Sequence, residues 1–225
     1  MERWTEVLIC ILIGYVLGSI SPSYLLGKRK NYDVRKDGSG NAGATNAFIL
    51  LGARAFFVTT ALDILKAFAA YTLCRALFPR FPEAAALGGT ACVIGHIYPL
   101  FLRFKGGKGL ACIGGVVLGW SWKWFLFLFA LAAAVTFTTR YVSLVAPTVS
   151  LVFPACFYWQ TRALLSTLIL LSAAIPIFIR HWENFARIRA GTEISTRFLW
   201  QKEEELRRIG KWNETTQDQL RKRGK

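Results

Sequence analysis

Charged residues are scarce in this sequence, and the patterns that would indicate a metal site or a disulfide framework are missing. Only 18% of the 225 residues are charged, below the roughly 25% typical of soluble domains. Five cysteines occur, but each lies in an apolar stretch and no two have C-x-x-C spacing. We therefore expect them to be small buried residues and neither metal ligands nor disulfide partners.

From the sequence pattern we also expect no cleavable signal, no internal repeat and no second domain. Arg3 precedes the first apolar run, and no A-x-A-like cleavage site follows that run. Because a secretory signal needs such a site, we expect the run to remain in the protein as a membrane helix.

Apolar residues dominate what is present. They make up 54% of the chain, and the mean hydropathy is +0.37. The formal net charge is +15, so the basic residues must be concentrated between apolar runs, as in membrane proteins with basic cytoplasmic loops. Nucleic-acid binding is another source of such basicity. We expect no nucleic-acid partner, because the long apolar runs leave little soluble surface.

Seven segments have the composition of membrane helices. Crossing the hydrocarbon core takes about 20 apolar residues, or about 17 at the short end, and the segment at 110–120 has only half that length. It is expected either as a short, partly inserted helix or as a re-entrant piece that lines a protein cavity. We predict an all-α membrane protein with about seven transmembrane helices, some of them short. The other six segments are 5–26, 53–78, 84–102, 124–138, 142–159 and 163–179.

The placement of lysine and arginine predicts the orientation of these helices. Basic residues cluster at 28–36, at 103–108 and after the last apolar run. With seven crossings these clusters lie on one side, which the positive-inside rule assigns to the cytoplasm. The N-terminus would then lie outside and the C-terminus in the cytoplasm. We expect one multi-pass membrane domain over 1–196 and a basic, charged cytoplasmic tail over 197–225, where contact with anionic lipid is possible.

Three polar segments interrupt the apolar pattern, all on the predicted cytoplasmic side. The first, at 37–46, reads D-G-S-G-N-A-G-A-T-N. Its glycines allow close backbone approach, and successive N–H groups can form a concave anion site. The hydroxyls and amides between Ser39 and Asn46 add hydrogen-bonding groups. An ordinary turn-rich connector is the alternative.

The second polar segment, at 95–109, ends in K-G-G-K-G directly before an apolar helix. Glycine amides, two lysines and a helix N-terminus together favour binding of an anion. The spacing is not that of a Walker A loop. A basic membrane loop that happens to contain glycines is the alternative.

The third polar segment, at 180–193, follows the last apolar run and places His181 and Asn184 on one helix face. His96 and His181 are the only histidines, and each lies beside a polar segment at a helix end. A histidine in such a place can act as an acid or a base. A basic membrane-exit segment with structural histidines is the alternative.

Two charged residues, Asp63 and Lys66, lie inside a predicted span. They are three residues apart and therefore share one helix face. Charged residues in a span usually pair with each other or face a cavity. A mutual structural ion pair and a substrate-facing role both remain open from the sequence.

Taken together, the three polar segments resemble those of the bacterial acyl-phosphate:glycerol-3-phosphate acyltransferases. The family's G-S-G-N-x-G-A-T-N run stands at 38–46, and its G-H-x-x-P-x-F-x-x-F-K-G-G-K-G run stands at 95–109. Its R-H-x-x-N and G-T-E elements stand at 180–184 and 191–193. The order and the spacing agree as well, so the resemblance covers most of the chain.

The resemblance implies a seven-helix enzyme of the bacterial plasma (inner) membrane whose active site faces the cytoplasm. It implies transfer of a fatty acyl group from acyl phosphate to the 1-hydroxyl of glycerol 3-phosphate, giving lysophosphatidic acid and phosphate. No metal, cofactor or obligate protein partner is expected. The residues expected to be catalytic are Ser39, His96, His181 and Asn184. Those expected to bind substrate are Gly40, Asn41, Thr45, Asn46, Lys66, Lys105, Gly106, Gly107, Lys108, Gly109, Arg180 and Glu193.

Acyl phosphate is already activated, so such an enzyme mainly positions two anions and stabilises developing charge. We expect the loop at 106–109 to cradle the acyl-phosphate head, with the acyl chain running between helices into lipid. The proton acceptor is either His181 or the acceptor's own phosphate. An acyl-enzyme at Ser39 is the less favoured alternative, since no Ser-His-Asp arrangement is visible.

One position departs from the family pattern. The family usually has an arginine three residues after the asparagine that ends the first run, and this chain has Ile49 there. Arg54 lies one and a half turns further on and does not replace it. The charge could instead come from Arg35, Lys66 or Arg180. This departure leaves a diverged enzyme with another polyol phosphate acceptor as an alternative. A membrane transporter of a phosphorylated solute, whose cavity would use the same basic, glycine-rich loops, is a further alternative.

Overall fold

The computed structural model describes residues 2–199, 201, 204, 205 and 207, and this part of the chain is all-helical. Most of the predicted tail at 197–225 lies outside the described residues. The α-helices are α1 (Arg3–Ser19), α2 (Pro22–Arg29), α3 (Ala44–Leu51), α4 (Ala53–Leu77), α5 (Ala84–Ile97), α6 (Leu110–Trp120), α7 (Trp122–Thr139), α8 (Val145–Thr161), α9 (Leu164–Ser172) and α10 (Ala174–Arg189). Short 3-10 turns cover Leu100–Leu102, Val142–Leu144 and Thr196–Leu199.

Six helical stretches of the described chain are long and apolar enough to cross a membrane. The remaining predicted segment, at 110–120, forms α6, which has 11 residues and is about 16 Å long at 1.5 Å per residue. Most of α6 is buried inside the bundle, where neighbouring helices replace lipid. The all-helical architecture is therefore confirmed. The six stretches are Arg3–Arg29, Ala53–Leu77, Ala84–Leu102, Trp122–Thr139, Val142–Thr161 and Leu164–Arg189.

Helix α5 lies at the centre of the bundle, and small residues let its neighbours approach closely. A Cβ atom on Gly14 of α1 would overlap the carbonyl oxygen of Gly88. One on Gly18 would overlap the backbone of Cys92. Close approach of helix backbones over small residues is a main source of packing energy in membranes, where lipid offers no hydrophobic driving force between helices.

The apolar core lies between α5 and the helices α4, α6, α8, α9 and α10. Val116 of α6 and Ile177 of α10 are among its most buried members. The five cysteines are free thiols, and four of them are buried. Their predicted place among small buried residues is confirmed, with Cys156 only half-buried.

The three polar segments lie at one end of the bundle, called here the polar end. Helices α1 and α5 run parallel, and near their C-terminal ends the Tyr15 hydroxyl donates to the Tyr98 carbonyl oxygen at 2.8 Å. Asn184 of α10 contacts Lys108, which lies two residues before α6. The C-terminal ends of α1, α5 and α10 and the N-terminal end of α6 therefore meet, while the N-terminus of α1 lies at the opposite end.

Candidate active site

A chain of hydrogen bonds joins the second polar segment to the third. The Lys108 ammonium donates to Asn184 Oδ1, and Asn184 Nδ2 donates to Glu193 Oε1 at 2.5 Å. The other oxygen, Glu193 Oε2, accepts from Arg187 Nε at 2.7 Å. Asn184 and Glu193 are both buried. Each group in this Lys108–Arg187 chain is hydrogen-bonded to the next, so the orientation of the Lys108 side chain is fixed.

Glu193 reaches Asn184 because the chain reverses at the end of α10. The helix ends at Arg189, and Gly191 has a φ of +68°, in the left-handed region that favours glycine. The amides of Thr192 and Glu193 then donate back to the Arg187 carbonyl oxygen at 2.9 and 3.2 Å. This turn brings the carboxylate alongside the helix face that carries Asn184.

Burial sets the charge state of Lys108. Loss of water around the ammonium lowers its pKa to about 8, because desolvation disfavours the charged form. The carboxylate of Glu193 raises the pKa, and the cations of Arg187 and Arg180 lower it further. An anion bound beside Lys108 would stabilise its charged form, so this lysine is suited to a phosphate.

Some backbone amides of the glycine loop hydrogen-bond within the protein, and others are open to a ligand. Gly106 N–H donates to the Ile97 carbonyl oxygen and Gly107 N–H to that of His96, both at 3.1 Å. These two amides are therefore not free to cradle an anion. The amides of Lys108, of Gly109 and of the first three residues of α6, at 110–112, form no backbone hydrogen bond within the described chain. They form the helix N-terminus at which anions bind.

The glycines at 106 and 107 allow the loop backbone to pack closely against α5. A Cβ on Gly106 would overlap the His96 carbonyl oxygen, and one on Gly107 would overlap the His96 imidazole. Gly109, the residue that caps the N-terminal end of α6, has a φ of +90°, a conformation that other residues adopt only with strain. The sequence predicts close approach of this loop to a ligand, and the structure shows close approach to His96.

His96 belongs to a buried polar cluster with two residues of α4. Lys66 Nζ lies 2.8 Å from Asp63 Oδ1 and 3.0 Å from His96 Nδ1. It also donates to the carbonyl oxygens of Gly18 at 2.9 Å and Ile20 at 2.6 Å. Asp63 and Lys66 thus form the ion pair that was one of the two sequence-based alternatives, and the lysine has four polar neighbours.

The same cluster has the donor atoms of a metal site. The ligand atoms of Asp63, His96 and Cys112 lie within 4.8 Å of one another. The ammonium of Lys66, however, is already in contact with two of these three residues. A metal ion among them would meet that positive charge at close range, so the lysine acts as the cation of this cluster.

In the first polar segment, Asn46 shapes the loop from beneath. Its Oδ1 accepts from Ser39 N–H at 2.8 Å, and its Nδ2 donates to the carbonyl oxygens of Val34 at 2.8 Å and Asp37 at 3.0 Å. Asn46 is fully buried. Gly38 has a φ of +65°, and a Cβ there would overlap Asn46 Oδ1.

Arg35, in the same loop, is engaged by a carboxylate. Its guanidinium makes two hydrogen bonds to Asp33, at 2.9 and 2.8 Å. This contact lowers the pKa of Asp33 to about 2. Arg35 is therefore held within its own loop.

The first segment is tied to the other two through the break between α1 and α2. Ser23 of α2 donates from Oγ to the Ala42 carbonyl oxygen at 2.8 Å, and Lys66 holds Ile20 on the other side of the break. Thr45 and Lys105 are exposed. Within the described chain, the side chains of Ser39, Thr45 and Lys105 form no hydrogen bond to another polar segment.

His181 and Arg180 of α10 face the same region. His181 Nδ1 lies 2.7 Å from the Ile177 carbonyl oxygen. Because a carbonyl only accepts, Nδ1 carries the proton and Nε2 remains a proton acceptor. Arg180 Nη2 donates to the Gly106 carbonyl oxygen at 3.4 Å, while its Nε is buried and has no partner within the described chain.

Comparison with known proteins decides the family. The model of the glycerol-3-phosphate acyltransferase family matches residues 8–191. The chain belongs to this family. It is thus an acyltransferase, a multi-pass membrane protein and an enzyme of phospholipid synthesis, as the resemblance predicts.

Relatives described as glycerol-3-phosphate acyltransferases align with most of this chain. The protein from Symbiobacterium thermophilum is 39% identical over 188 residues, which is 84% of this chain and 94% of the relative. That from Bacillus velezensis is 39% identical over 189 residues, covering 83% and 96%. Two crystal structures of PlsY (YgiH), an integral membrane glycerol 3-phosphate acyltransferase, are also similar. The glycerol 3-phosphate form has a TM-score of 0.79 at 33% identity over 86% of this chain and 96% of that one, and the lysophosphatidic acid form has 0.76 at 32% over 84% and 94%.

Two residues of the acyltransferase's polar end were not among the sequence-based site residues. Arg187 lies one helical turn after Asn184 and completes the hold on Glu193, and this spacing was the available signal. Asp63 was recognised as charged within a span, but its contact with His96, at 3.4 Å, joins residues 33 positions apart and has no local signature.

Proposed function

We propose that this acyltransferase transfers a fatty acyl group from acyl phosphate to the 1-hydroxyl of glycerol 3-phosphate. The products are lysophosphatidic acid and inorganic phosphate, and the step is the first acylation of phospholipid synthesis. The observation that carries the proposal is the half-buried Lys108, held by Asn184 beside the open amides that begin α6. This is a site for a phosphate group at the end of a membrane helix.

In this proposal the acyl-phosphate head binds at Lys108, Gly109 and the first turn of α6. The glycines at 106 and 107 set the position of this turn against α5 and do not donate to the ligand. Lys105 is exposed and adds charge at the rim. The acyl chain extends between helices into the lipid.

The acceptor phosphate binds to Arg180, which supplies the charge that is missing at Ile49. Arg35 is engaged by Asp33 and Lys66 by Asp63, whereas Arg180 has a buried Nε without a partner in the described chain. The first segment supplies polar groups to the glycerol hydroxyls. These are Ser39, Gly40, Asn41 and Thr45, of which Asn41 has a buried Oδ1 without a partner in the described chain. Asn46 acts indirectly, because it is fully buried and holds the backbone of this loop.

The reaction is a direct displacement at the acyl carbonyl. The 1-hydroxyl oxygen forms a bond to the carbonyl carbon, and the carbon–oxygen bond to phosphate breaks with its electrons on the leaving phosphate. The lysine and the helix N-terminus stabilise that developing charge. The hydroxyl proton passes to His181 Nε2 or to the acceptor's own phosphate. A His181→Gln variant with less than a threefold loss of kcat would favour the phosphate, and a loss above a hundredfold would favour the histidine.

In this proposal the site lies on the cytoplasmic face of the bacterial plasma membrane, and the chain has seven crossings and its N-terminus outside. The basic residues at the polar end support this orientation, as does the position of the N-terminus of α1 at the opposite end. Residues 1–196 form the enzyme domain, and 197–225 form a basic cytoplasmic tail. Labelling of single cysteines placed at Ser39, Lys108 and Asn184 from either side of sealed vesicles tests this, and labelling from different sides would disprove it.

The reaction is tested with purified protein in detergent, acyl phosphate and a panel of polyol phosphates. We expect release of inorganic phosphate that depends on glycerol 3-phosphate, without added metal or cofactor. Release with another polyol phosphate only would identify a diverged acceptor, which is the alternative that Ile49 leaves open. Absence of release with every acceptor, together with solute uptake into sealed vesicles, would point to a transporter.

A further inference from the structure

The buried cluster of Asp63, Lys66 and His96 joins three parts of the fold: α4, α5 and the C-terminal end of α1. Lys66 contacts Asp63 on its own helix, His96 on α5, and the carbonyl oxygens of Gly18 and Ile20 at the C-terminal end of α1. Asp63, Lys66 and His96 are 1%, 9% and 5% exposed. An ammonium has three protons to donate, so four neighbours leave none for a substrate.

His96 transmits the position of this cluster to the glycine loop. Its carbonyl oxygen accepts the Gly107 amide at 3.1 Å, and its ring occupies the space that a Cβ on Gly107 would need. The next residue is Lys108, and α6 begins two residues later. A shift of the imidazole therefore moves both the lysine and the open amides.

We propose that Asp63 and Lys66 are positioning residues, which lock His96 and through it the loop that holds the acyl-phosphate head. This rests on the proposed function, because it assigns that head to Lys108 and the start of α6. It replaces the expectation that Lys66 binds substrate. Neither Asp63 nor Lys66 touches the reacting atoms.

The Asp63→Asn variant distinguishes a positioning role of Asp63 from a direct electrostatic effect of its charge on acyl-phosphate binding. Asp63 is an anion near a site for anions, so through its field alone its removal would tighten binding of acyl phosphate and lower its KM. Positioning predicts the opposite. When the asparagine no longer holds Lys66 and His96 as an anion does, the loop shifts and the KM for acyl phosphate rises by about tenfold to a hundredfold.

The experiment measures phosphate release, with KM for acyl phosphate and kcat separated, and the thermal midpoint of each variant in detergent. A double variant, Asp63→Asn with Lys66→Met, removes both charges and leaves no unpaired ion. We expect its thermal midpoint to recover relative to the single variant while its KM stays raised. Tyr71→Phe is the matched control, because Tyr71 is buried on the same helix and packs against Gly119, away from the loop.

The results distinguish this inference from the proposed function. If wild-type protein releases no phosphate with any acceptor, the proposed function fails. If the wild type is active and Asp63→Asn has an unchanged or lower KM, the positioning role is wrong. A folded double variant with wild-type KM overturns it equally, because the ion pair would then contribute only to stability.

Discussion

The charge of Lys108 should control the affinity for acyl phosphate as the pH is raised. Burial lowers the pKa of this ammonium to about 8 in the free protein. About 90% of the molecules then carry the charge at pH 7 and about 10% at pH 9. The charged form is present below the pKa and lost above it, so binding of an anion should weaken as the pH passes through 8.

The size of the effect follows from these fractions. If only the charged form binds, KM is proportional to one plus ten raised to the power of pH minus pKa. That factor is about 1.1 at pH 7 and about 11 at pH 9, so KM for acyl phosphate should rise about tenfold. A phosphate monoester has its second pKa near 6 and is already a dianion throughout this range. The change in KM between pH 7 and 9 therefore reflects titration of the protein and not of the substrate.

Two variants test the source of the rise. Lys108→Arg keeps its charge at every pH used, because a guanidinium does not deprotonate in this range, and its KM should be nearly flat. Glu193→Gln removes the carboxylate that raises the pKa of Lys108, so its rise should begin at a lower pH than in the wild type.

The assay is the initial rate of phosphate release between pH 6.5 and 9.5, with saturating acceptor and a correction for spontaneous hydrolysis of acyl phosphate. A wild-type KM that does not change between pH 7 and 9 would refute the assignment of this lysine to the donor. The same rise in Lys108→Arg would show that another group titrates.

Three further changes have expected outcomes. Asn46→Ala removes three hydrogen bonds that hold the first loop and should raise KM for the acceptor more than tenfold, whereas an unchanged value would separate this loop from the acceptor. Gly107→Ala places a methyl group against the ring of His96, which should cost about 1–3 kcal/mol and lower both the thermal midpoint and kcat/KM; a wild-type thermal midpoint would contradict this overlap. Gly14→Leu should separate α1 from α5 at Gly88 and lower the thermal midpoint by several degrees, and a stable variant would show that the close packing is dispensable.

The helices could be predicted wherever hydropathy alone determines them. The segment at 110–120 forms α6 with the predicted bounds, because glycine and serine stand at its two ends. The first span, predicted as 5–26, is instead broken, since Ser21 caps a new helix and Pro22 begins it. The last span continues past the predicted 179 to Arg189, because its basic end is helical but no longer apolar.

The site could be predicted as a set of segments but not as a set of contacts. Motif order predicted that Lys108 and Asn184 act together, and the structure joins them. The role of Asn46 depends on three backbone groups that only the folded loop brings together. The close approach of Gly107 to His96 likewise depends on how the loop turns back on α5. Such contacts have no periodicity and no local composition that a sequence could display.

The distribution of charge explains why the polar end can hold two phosphorylated reactants. Within the described chain only five lysines and arginines are not exposed, and all five lie at this end. Three of them have a carboxylate partner: Arg35, Lys66 and Arg187. Lys108 and Arg180 form no ion pair among the described residues. A half-buried cation without an anion costs free energy, and that cost is recovered when a ligand brings the anion. Two such cations, one beside the amides of α6 and one on α10, match the two phosphate groups of a donor and an acceptor.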